Sequence, residues 1–240
     1  MKGLSLFNQA YCLVCHEPLR PLIGWKSLFS EEREQHLCLV CDQKLVRLEG
    51  EKCRICCRSF QYLDDKYRRD DLCHDCVRWE EDNEWQGYLD KNHSLYLYND
   101  FLKETMARFK FRGDYVLIKV FAEQIKQLAA KINPTSHVPI PLSDVRLYER
   151  GFNQAEALIS EVFKKDYLLS RLHSEKQSKK SRTERIHLPQ VFQLEIIHNL
   201  KGAKILLYDD VYTTGSTLRH AAKLLKEAGA ASVESITIAR

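Results

Sequence analysis

The second part of the chain alternates short apolar runs with longer amphipathic stretches. The longer stretches carry apolar residues at helical spacing, as in Leu102, Met106 and Phe109, whereas the short runs are typical of buried strands. Strands that alternate with helices predict an α/β fold with a mainly parallel sheet covered on both faces. The predicted strands lie at Ser94–Tyr98, His137–Leu142, Leu168–Leu169, Val191–Leu194, Ile205–Tyr208 and Ser232–Ile238. The predicted helices begin at Asp100, Asp114, Asn153 and close to Leu218.

The strand predicted at Ile205–Tyr208 ends in two adjacent carboxylates and is followed by a turn of small residues. Backbone N–H groups in such a turn, together with the positive end of the next helix, can bind a phosphate group. Gly215 lets the backbone approach the ligand oxygens without a side chain in between. The carboxylates would repel phosphate, so ribose hydroxyls or an accompanying metal ion are their expected targets. The candidate ligand-binding residues are Asp209, Asp210, Thr213, Thr214, Gly215, Ser216 and Thr217.

The distribution of cysteines divides the chain. All nine lie between Cys12 and Cys76, so we expect a cysteine-rich domain at residues 1–88 and a second domain at residues 89–240. Eight of them form Cys-x-x-Cys pairs, and two such pairs complete a tetrahedral zinc site. Inside the cell, clustered cysteines more often bind metal than form disulfides. The predicted zinc ligands are Cys12, Cys15, Cys38, Cys41, Cys53, Cys56, Cys73 and Cys76.

Two ways of combining the cysteine pairs are open. Sequential pairing joins the first pair to the second and the third to the fourth, while interleaved pairing joins the first to the third. Sequential pairing closes shorter loops and is favoured, and Cys57 is then left as a non-ligand. Four thiolates leave no open position for substrate, so we expect the zinc to be structural. A redox dithiol is the rival interpretation of any single pair.

Two groups of basic residues are candidates for binding anions. Arg150 comes just before a predicted helix, where it can bind pyrophosphate or instead be an ordinary surface residue. The segment Ser174–Arg185 is polar without an apolar face, which is typical of a mobile loop and here fits a lid over the site. Its cations can neutralise pyrophosphate or contact a nucleic-acid backbone. They are Lys179, Lys180, Arg182 and Arg185.

Charge and hydropathy narrow the possible surroundings of the protein. The net charge of +4 is compatible with an anionic ligand or nucleic acid and establishes neither. No stretch approaches the ~20 apolar residues of a membrane-spanning helix, and the apolar part of the N-terminus is too short for a signal peptide. We therefore expect an intracellular protein.

The order of motifs resembles a known family. Asp209-Asp210, a spacer of two residues and Thr213–Thr217 resemble the loop that binds phosphoribosyl pyrophosphate (PRPP) in type I phosphoribosyltransferases. With the paired cysteines, Val138–Leu142 and Arg150–Ala155, the chain is similar over nearly its full length to the ComF (ComFC) family of bacterial late-competence proteins. Tyr208 is a small departure, because the apolar strand usually continues there. The resemblance implies an α/β, type I phosphoribosyltransferase-like parallel-sheet domain behind an N-terminal double zinc ribbon.

The resemblance also implies a role in natural transformation, where incoming single-stranded DNA is handled. The implied partners are single-stranded DNA, a competence helicase-like ATPase of the ComFA type, and PRPP or a nucleotide. The implied metals are structural Zn²⁺ and Mg²⁺ bound with PRPP. The implied location is the cytoplasm, with partners able to hold the chain at the inner face of the membrane.

Two other functions remain open. In an active phosphoribosyltransferase of nucleotide metabolism, Asp209 and Asp210 are catalytic: they hold the ribose hydroxyls and stabilise a cationic ribosyl transition state. The sequence shows no evident segment for recognising a base. A PRPP-sensing transcription regulator is the third option, although the sequence has no helix-turn-helix motif.

Overall fold

The computed structural model describes residues 9–19, 34–160, 163–172, 191–195 and 200–240. Within these ranges the α-helices are α1 (Leu39–Lys44), α2 (His74–Glu80), α3 (Asp100–Phe111), α4 (Lys119–Ile132), α5 (Asp144–Arg150), α6 (Gln154–Ser160) and α7 (Ser216–Glu227). The strands are β1 (Arg68–Arg69), β2 (Leu72–Cys73), β3 (Lys91–Tyr96), β4 (Ser136–Pro139), β5 (Leu169–Arg171), β6 (Phe192–Leu194), β7 (Lys204–Val211) and β8 (Ser232–Ala239). None of the described helices is long and apolar enough to cross a membrane.

A four-stranded parallel sheet with the order β3-β8-β7-β4 forms the centre of the molecule. The two inner strands are in register through Leu207 and Ser235, and Val138 of β4 lies opposite Leu207 on the other side. Strands in such a sheet are buried on both faces, which explains their continuous apolar runs. The predicted α/β fold with a parallel sheet is therefore confirmed.

Alternate residues of the inner strands enter two separate hydrophobic clusters. Leu206 and Tyr208 of β7 pack with the apolar faces of α3, α4 and α6. Ile205 and Leu207 pack on the opposite face with α7 and with the antiparallel pair β5–β6. This alternation follows from the two-residue period of a strand, which sends successive side chains to opposite faces.

One predicted helix start is confirmed and one is wrong: α3 begins at Asp100, although Asp100 does not cap it, whereas no α-helix begins at Asp114. The side chain of Asn99, not Asp100, caps α3, because its Oδ1 accepts a hydrogen bond from the N–H of Leu102 at 2.9 Å. Asp114 does not begin an α-helix: a 3₁₀ turn at Tyr115–Ile118 comes first, and α4 begins at Lys119. The carboxylate of Asp114 makes no capping bond, because it accepts from the Nη2 of Arg108 at 2.6 Å instead.

The second cysteine-rich segment, residues 53–76, shares a hydrophobic cluster with the sheet domain. Ile55, Phe60 and Cys76 belong to the same cluster as Leu207 of the central strand. Further along, the indole of Trp85 lies on the ring of His220 in α7, with ring centroids 4.4 Å apart. The second segment therefore packs directly against the sheet domain along the side that carries α7.

Candidate functional site

The carboxyl end of β7 positions the two acidic residues of the predicted site. Asp209 and Asp210 lie at the end of this inner strand, followed in it only by Val211, and both side chains are half-buried. The carboxylate of Asp210 forms an ion pair, at 2.6 Å, with the Nζ of Lys110, which lies near the C-terminal end of α3. The Oδ1 of Asp209 accepts a hydrogen bond from the backbone N–H of Asp210 at 2.9 Å. The carboxylates are therefore held at the ligand-binding edge of a parallel sheet.

The two carboxylates differ in their surroundings. Burial, and then the neighbouring charge of Asp210, raise the pKa of Asp209 to about 7, while Lys110 and Arg171 act in the opposite direction. Asp210 has a direct lysine partner, whereas no ion pair of Asp209 is seen among the residues that the structure describes. A carboxyl with a pKa near neutrality changes charge in the physiological range, which is typical of functional sites.

The loop after β7 has the geometry of an anion site. Gly215 has a left-handed φ of +81°, α7 begins at Ser216, and the first helical hydrogen bond runs from the N–H of Arg219 to the carbonyl of Gly215 at 2.9 Å. The N–H groups of the first turn have no acceptor inside the helix, and the helix dipole adds positive potential there. Thr213 is exposed, while Thr214, Ser216 and Thr217 are half-buried at the mouth of this loop.

Arg150 lies beside the acidic pair rather than on a remote surface. Burial lowers its pKa, and the charges of Asp210 and Asp209 oppose this shift. Its Nη1 donates to Oε1 of Gln154 at 2.6 Å, and its guanidinium lies 5.3 Å from the ring of Phe111. The structure thus brings Arg150 together with the acids. The other predicted cations, Lys179, Lys180, Arg182 and Arg185, lie outside the described residues, between β5 and β6.

A cavity of about 430 Å³ adjoins the loop, between the second cysteine-rich segment and the sheet edge. Its lining combines loop residues with side chains that are distant in sequence, and sequence reasoning missed the distant ones. No local pattern marks them, because each belongs to a different element. The lining residues are Arg58, Tyr98, Val211, Tyr212, Thr213, Thr214 and Arg240.

The eight paired cysteines form two tetrads in the sequential arrangement. One consists of Cys12, Cys15, Cys38 and Cys41, the other of Cys53, Cys56, Cys73 and Cys76, and in each the sulfur atoms lie within 4.8 Å of one another. This is the spacing that four tetrahedral zinc ligands require. Each tetrad can therefore hold a zinc ion, and Cys57 belongs to neither.

The surroundings of the second tetrad also fit a metal-thiolate group. The Nε and Nη2 of Arg240 both donate to the Sγ of Cys56 at 3.4 Å, and Nη2 of Arg219 lies 3.9 Å from the Sγ of Cys76. The Arg219 side chain is fully buried, and that of Arg240 is 6% exposed. Four thiolates around Zn²⁺ carry a net charge of two minus, which compensates two buried guanidinium groups.

Residues 121–240 match the family model of the phosphoribosyl transferase domain. The chain is 39% identical to competence protein ComFC of Bacillus subtilis (strain 168), over 97% of this chain and 96% of that protein. It is 33% identical to competence protein ComFC of Streptococcus pneumoniae (strain ATCC BAA-255 / R6), over 95% and 99% respectively. A shorter match, 32% identical over 42% of this chain and 47% of the relative, is to DNA utilization protein YhgH of Escherichia coli (strain K12).

The similarity to the two ComFC proteins spans both cysteine tetrads and the acidic strand end. The family model covers the loop, α7 and β8, where the anion-binding geometry lies. This chain is therefore a competence protein of the ComFC family, with a phosphoribosyl transferase domain in its second part.

Proposed function

We propose that this chain acts in natural transformation by handling incoming single-stranded DNA, and that its transferase domain binds PRPP or a nucleotide with the same ribose 5-phosphate group. Membership of the ComFC family supports the role in transformation. The observation that carries the ligand is the juxtaposition of two carboxylates with a glycine-containing loop at a helix start. A diol-binding acid pair beside an anion site suits a ribose phosphate and few other metabolites.

In this proposal each part of the ligand has its own partners. The 5′-phosphate binds the loop Thr213–Thr217, and the ribose hydroxyls donate to Asp209 and Asp210. Lys110 and Arg150 supply positive charge beside the acids, where a pyrophosphate group would extend. The carboxylate oxygens are also the ligands that Mg²⁺ accompanying PRPP prefers.

Catalysis is the second candidate activity, and the cavity beside the loop favours it. This cavity is large enough for a planar acceptor, and Tyr98 and Arg58 lie in its wall. In an active transferase the acid pair stabilises positive charge that develops on the ribose ring.

Catalysis is tested by measuring pyrophosphate release from PRPP, with each nucleobase offered in turn. An active enzyme releases pyrophosphate, and Asp210→Asn abolishes the release. A pure binding protein gives a calorimetric binding signal without turnover.

The role of the ligand in the cell is tested by transformation frequency. Cells carrying Asp209→Ala together with Asp210→Ala are compared with wild-type cells at equal protein level. We expect transformation to fall at least about tenfold, the effect of losing roughly 1.4 kcal/mol of binding when ligand is not saturating. Normal transformation frequency would show that the ribose phosphate site is dispensable for the biological role.

Exposed aromatic rings near the acidic site support binding of single-stranded DNA. Phe111 is 68% exposed and Tyr148 is 92% exposed, and the guanidinium of Arg150 faces Phe111. Helix α5, which carries Tyr148, buries none of its residues. Aromatic side chains beside arginines are the usual stacking platforms for unpaired bases.

Tyr148→Ala tests this surface in the full chain. Base stacking contributes about 1–3 kcal/mol per base, so we expect affinity for a fluorescent oligothymidine to fall at least about fivefold. The matched control is Tyr167→Ala, because Tyr167 is also exposed but donates to the acidic side chain of Glu156. Equal DNA affinity of both variants and the wild type would show that the DNA site lies elsewhere on the chain.

The remaining part of the proposal concerns partners and place. We infer that the chain works in the cytoplasm with a helicase-like ATPase, which would hold it near the inner face of the membrane. The resemblance to the competence family supports this partnership. Co-purification of the tagged chain with the ATPase from competent cells, with and without nuclease, tests it and separates direct contact from bridging by DNA.

A further inference from the structure

Three consecutive peptide groups of the anion-binding loop are held from below by two side chains. Arg240 donates from Nη1 to the carbonyl of Thr213 at 2.7 Å and to that of Tyr212 at 3.3 Å. Trp79 donates from Nε1 to the carbonyl of Thr214 at 3.0 Å. All three carbonyl groups therefore face the protein and not the ligand side.

The orientation of these carbonyls decides where the N–H groups of the loop point. In a planar trans peptide the C=O and the following N–H point in opposite directions. Fixing the carbonyls of Tyr212, Thr213 and Thr214 therefore aims the N–H groups of Thr213, Thr214 and Gly215 away from the protein interior. These are the N–H groups that a phosphate on this loop would use.

Both donors belong to the surroundings of the second cysteine tetrad. The guanidinium of Arg240 that holds the loop also donates to the Sγ of Cys56 through Nε and Nη2. Trp79 lies in α2 one turn after Cys76, and its ring lies 5.2 Å from the guanidinium of Arg219, which itself approaches the Sγ of Cys76. Trp79 is 2% exposed, so it has no freedom to leave this position. The second tetrad and the loop thus share Arg240 as a buried donor, and the other donor to the loop, Trp79, packs beside the tetrad.

The first tetrad has a different environment among the described residues. It belongs to a small separate cluster with Leu19, and Arg108 of α3 holds the neighbouring carbonyls of Val14 and Leu13. Within the described chain, no hydrogen bond links this tetrad to the loop at 212–217. The chain therefore contains an internal comparison: one cysteine site that is linked to the loop through Arg240 and one that is not.

We propose that Arg240 and Trp79 are positioning residues for the phosphate-binding loop, and that Zn²⁺ in the second tetrad keeps them in place. The inference rests on the proposed function only for the identity of the ligand. A thiolate bound to zinc is a fixed acceptor, so it holds the guanidinium of Arg240 and, through it, the carbonyls of Tyr212 and Thr213. Without the metal, the four thiols lose their common centre, and the donors lose their fixed orientation.

The test measures hydrogen–deuterium exchange in the full-length, zinc-loaded protein, followed on peptides that cover residues 212–217. Trp79→Phe removes one donor and keeps an aromatic ring, while Arg240→Lys keeps the charge but cannot contact Cys56 and both carbonyls at once. We expect exchange in this segment to accelerate about tenfold in each variant. The hydrogen-bonded N–H groups there are those of Tyr212, which donates to the carbonyl of Ala239, and Ser216, which donates to the Oγ1 of Thr214, and both lose protection when the loop is released. The control is Arg54→Ala, whose exposed pairing with Asp71 lies on the same cysteine-rich segment.

A second readout is the affinity for ribose 5-phosphate by calorimetry. We expect about tenfold weaker binding for Trp79→Phe and Arg240→Lys, and unchanged binding for Arg54→Ala. A third comparison separates the two tetrads: Cys56→Ser and Cys12→Ser each lose one zinc, but only Cys56→Ser accelerates exchange at residues 212–217. Zinc content by colorimetric release accompanies every variant.

The outcomes separate this inference from the proposed function. Unchanged exchange at residues 212–217 in Trp79→Phe and Arg240→Lys overturns the positioning role, whatever the ligand affinity. Equal acceleration by Cys12→Ser and Cys56→Ser overturns the specific link to the second tetrad. Accelerated exchange in a protein that does not bind ribose 5-phosphate supports the link and instead removes the proposed ligand.

Discussion

Gly215 is the residue whose identity the loop constrains most tightly. Its φ of +81° is unfavourable for other residues, and a Cβ there would lie 2.1 Å from the hydroxyl oxygen of Tyr212 and 2.5 Å from its Cζ. The buried ring of Tyr212 therefore forms the floor of the loop. Space and backbone conformation together require glycine at this position.

Gly215→Ala should weaken binding of ribose 5-phosphate more than about tenfold, because the loop must move to relieve both the strain and the contact. Adding Tyr212→Phe should not restore affinity, since the ring carbon stays at 2.5 Å from the new methyl group. Gly113→Ala is the matched control: Gly113 also has a positive φ, of +66°, but nothing lies within 4 Å of its Cβ position. Calorimetry and thermal unfolding of the three variants check this, and a retained affinity in Gly215→Ala would contradict it.

Asp209 should make stability depend on pH near neutrality. Its pKa is about 7 in the folded chain and about 3.9 in an unfolded one, so the folded state binds more protons between these values and stability falls as pH rises through this window. Asp209→Asn avoids this loss. After allowance for solvent screening, its stabilising effect relative to wild type should grow by about 1–2 kcal/mol from pH 5 to pH 8.

Urea unfolding at both pH values measures this effect. Asp71→Asn serves as control, because Asp71 has an exposed partner in Arg54 and lies away from the acidic strand end. A stability difference between Asp209→Asn and wild type that stays constant with pH would argue against a raised pKa for Asp209.

At the scale of elements, the first Cys-x-x-Cys turn of each tetrad is followed by a residue of left-handed backbone. His16 follows Cys15 and has a φ of +63°. Cys57 follows Cys56 in the same way and has a φ of +59°. The backbone N–H of Cys57 donates to the carbonyl of Cys53 at 3.0 Å and closes the turn. Cys57 therefore has a turn position and not a ligand position.

Cys57→Gly should leave two zinc ions per chain. Glycine relieves the left-handed backbone, which contributes about 1 kcal/mol to the free energy of unfolding. This gain offsets part of the stability that is lost with the packing of the buried thiol. Cys53→Ser, by contrast, should leave one zinc ion, because it removes a ligand of the second tetrad. Elemental analysis of the purified variants gives the number of zinc ions per chain. A single zinc ion in Cys57→Gly would indicate that Cys57 is a ligand.

At the scale of the whole molecule, the two tetrads contribute differently to the core. The second tetrad belongs to the large cluster that includes Leu207 of the central strand, whereas the first forms a small cluster of its own. Ile55 and Phe60 are thus buried by a segment whose shape a zinc ion in the second tetrad would hold. The first tetrad reaches the main core only through partly buried residues, so we expect metal binding and folding to be coupled more strongly at the second tetrad.

Loss of the second zinc should therefore lower the melting temperature more than loss of the first. For a chain of this size each kcal/mol shifts the midpoint by roughly 2–4 °C, so we expect a drop of at least about 5 °C in Cys53→Ser and a smaller one in Cys12→Ser. Differential scanning calorimetry of the two single-zinc proteins makes the comparison. Equal shifts would indicate that the second tetrad adds nothing to the main core.

Much of this protein follows from patterns that are local in the sequence. The period of apolar residues predicts the parallel α/β sheet, and the short spacing within Cys-x-x-Cys pairs, with the cost of closing longer loops, predicts sequential tetrads. The run from Ile205 to Thr217 contains strand, acids, turn and helix start in one continuous window. Such features depend on neighbours within a few residues, so they can be read before the chain is folded.

Other features depend on which elements meet in space. Lys110 pairs with Asp210, which lies 100 positions later in the chain. Arg240 donates to Thr213 and also to Cys56, which lies 184 positions before Arg240. No periodicity or spacing links such residues, because their meeting requires the finished order of the strands and the packing of α2 on α7. The sequence by itself determined the fold class, the strand–loop–helix segment and the two groups of four cysteines. Only the tertiary structure decided that the second group of cysteines and the loop after β7 share Arg240 as a buried donor.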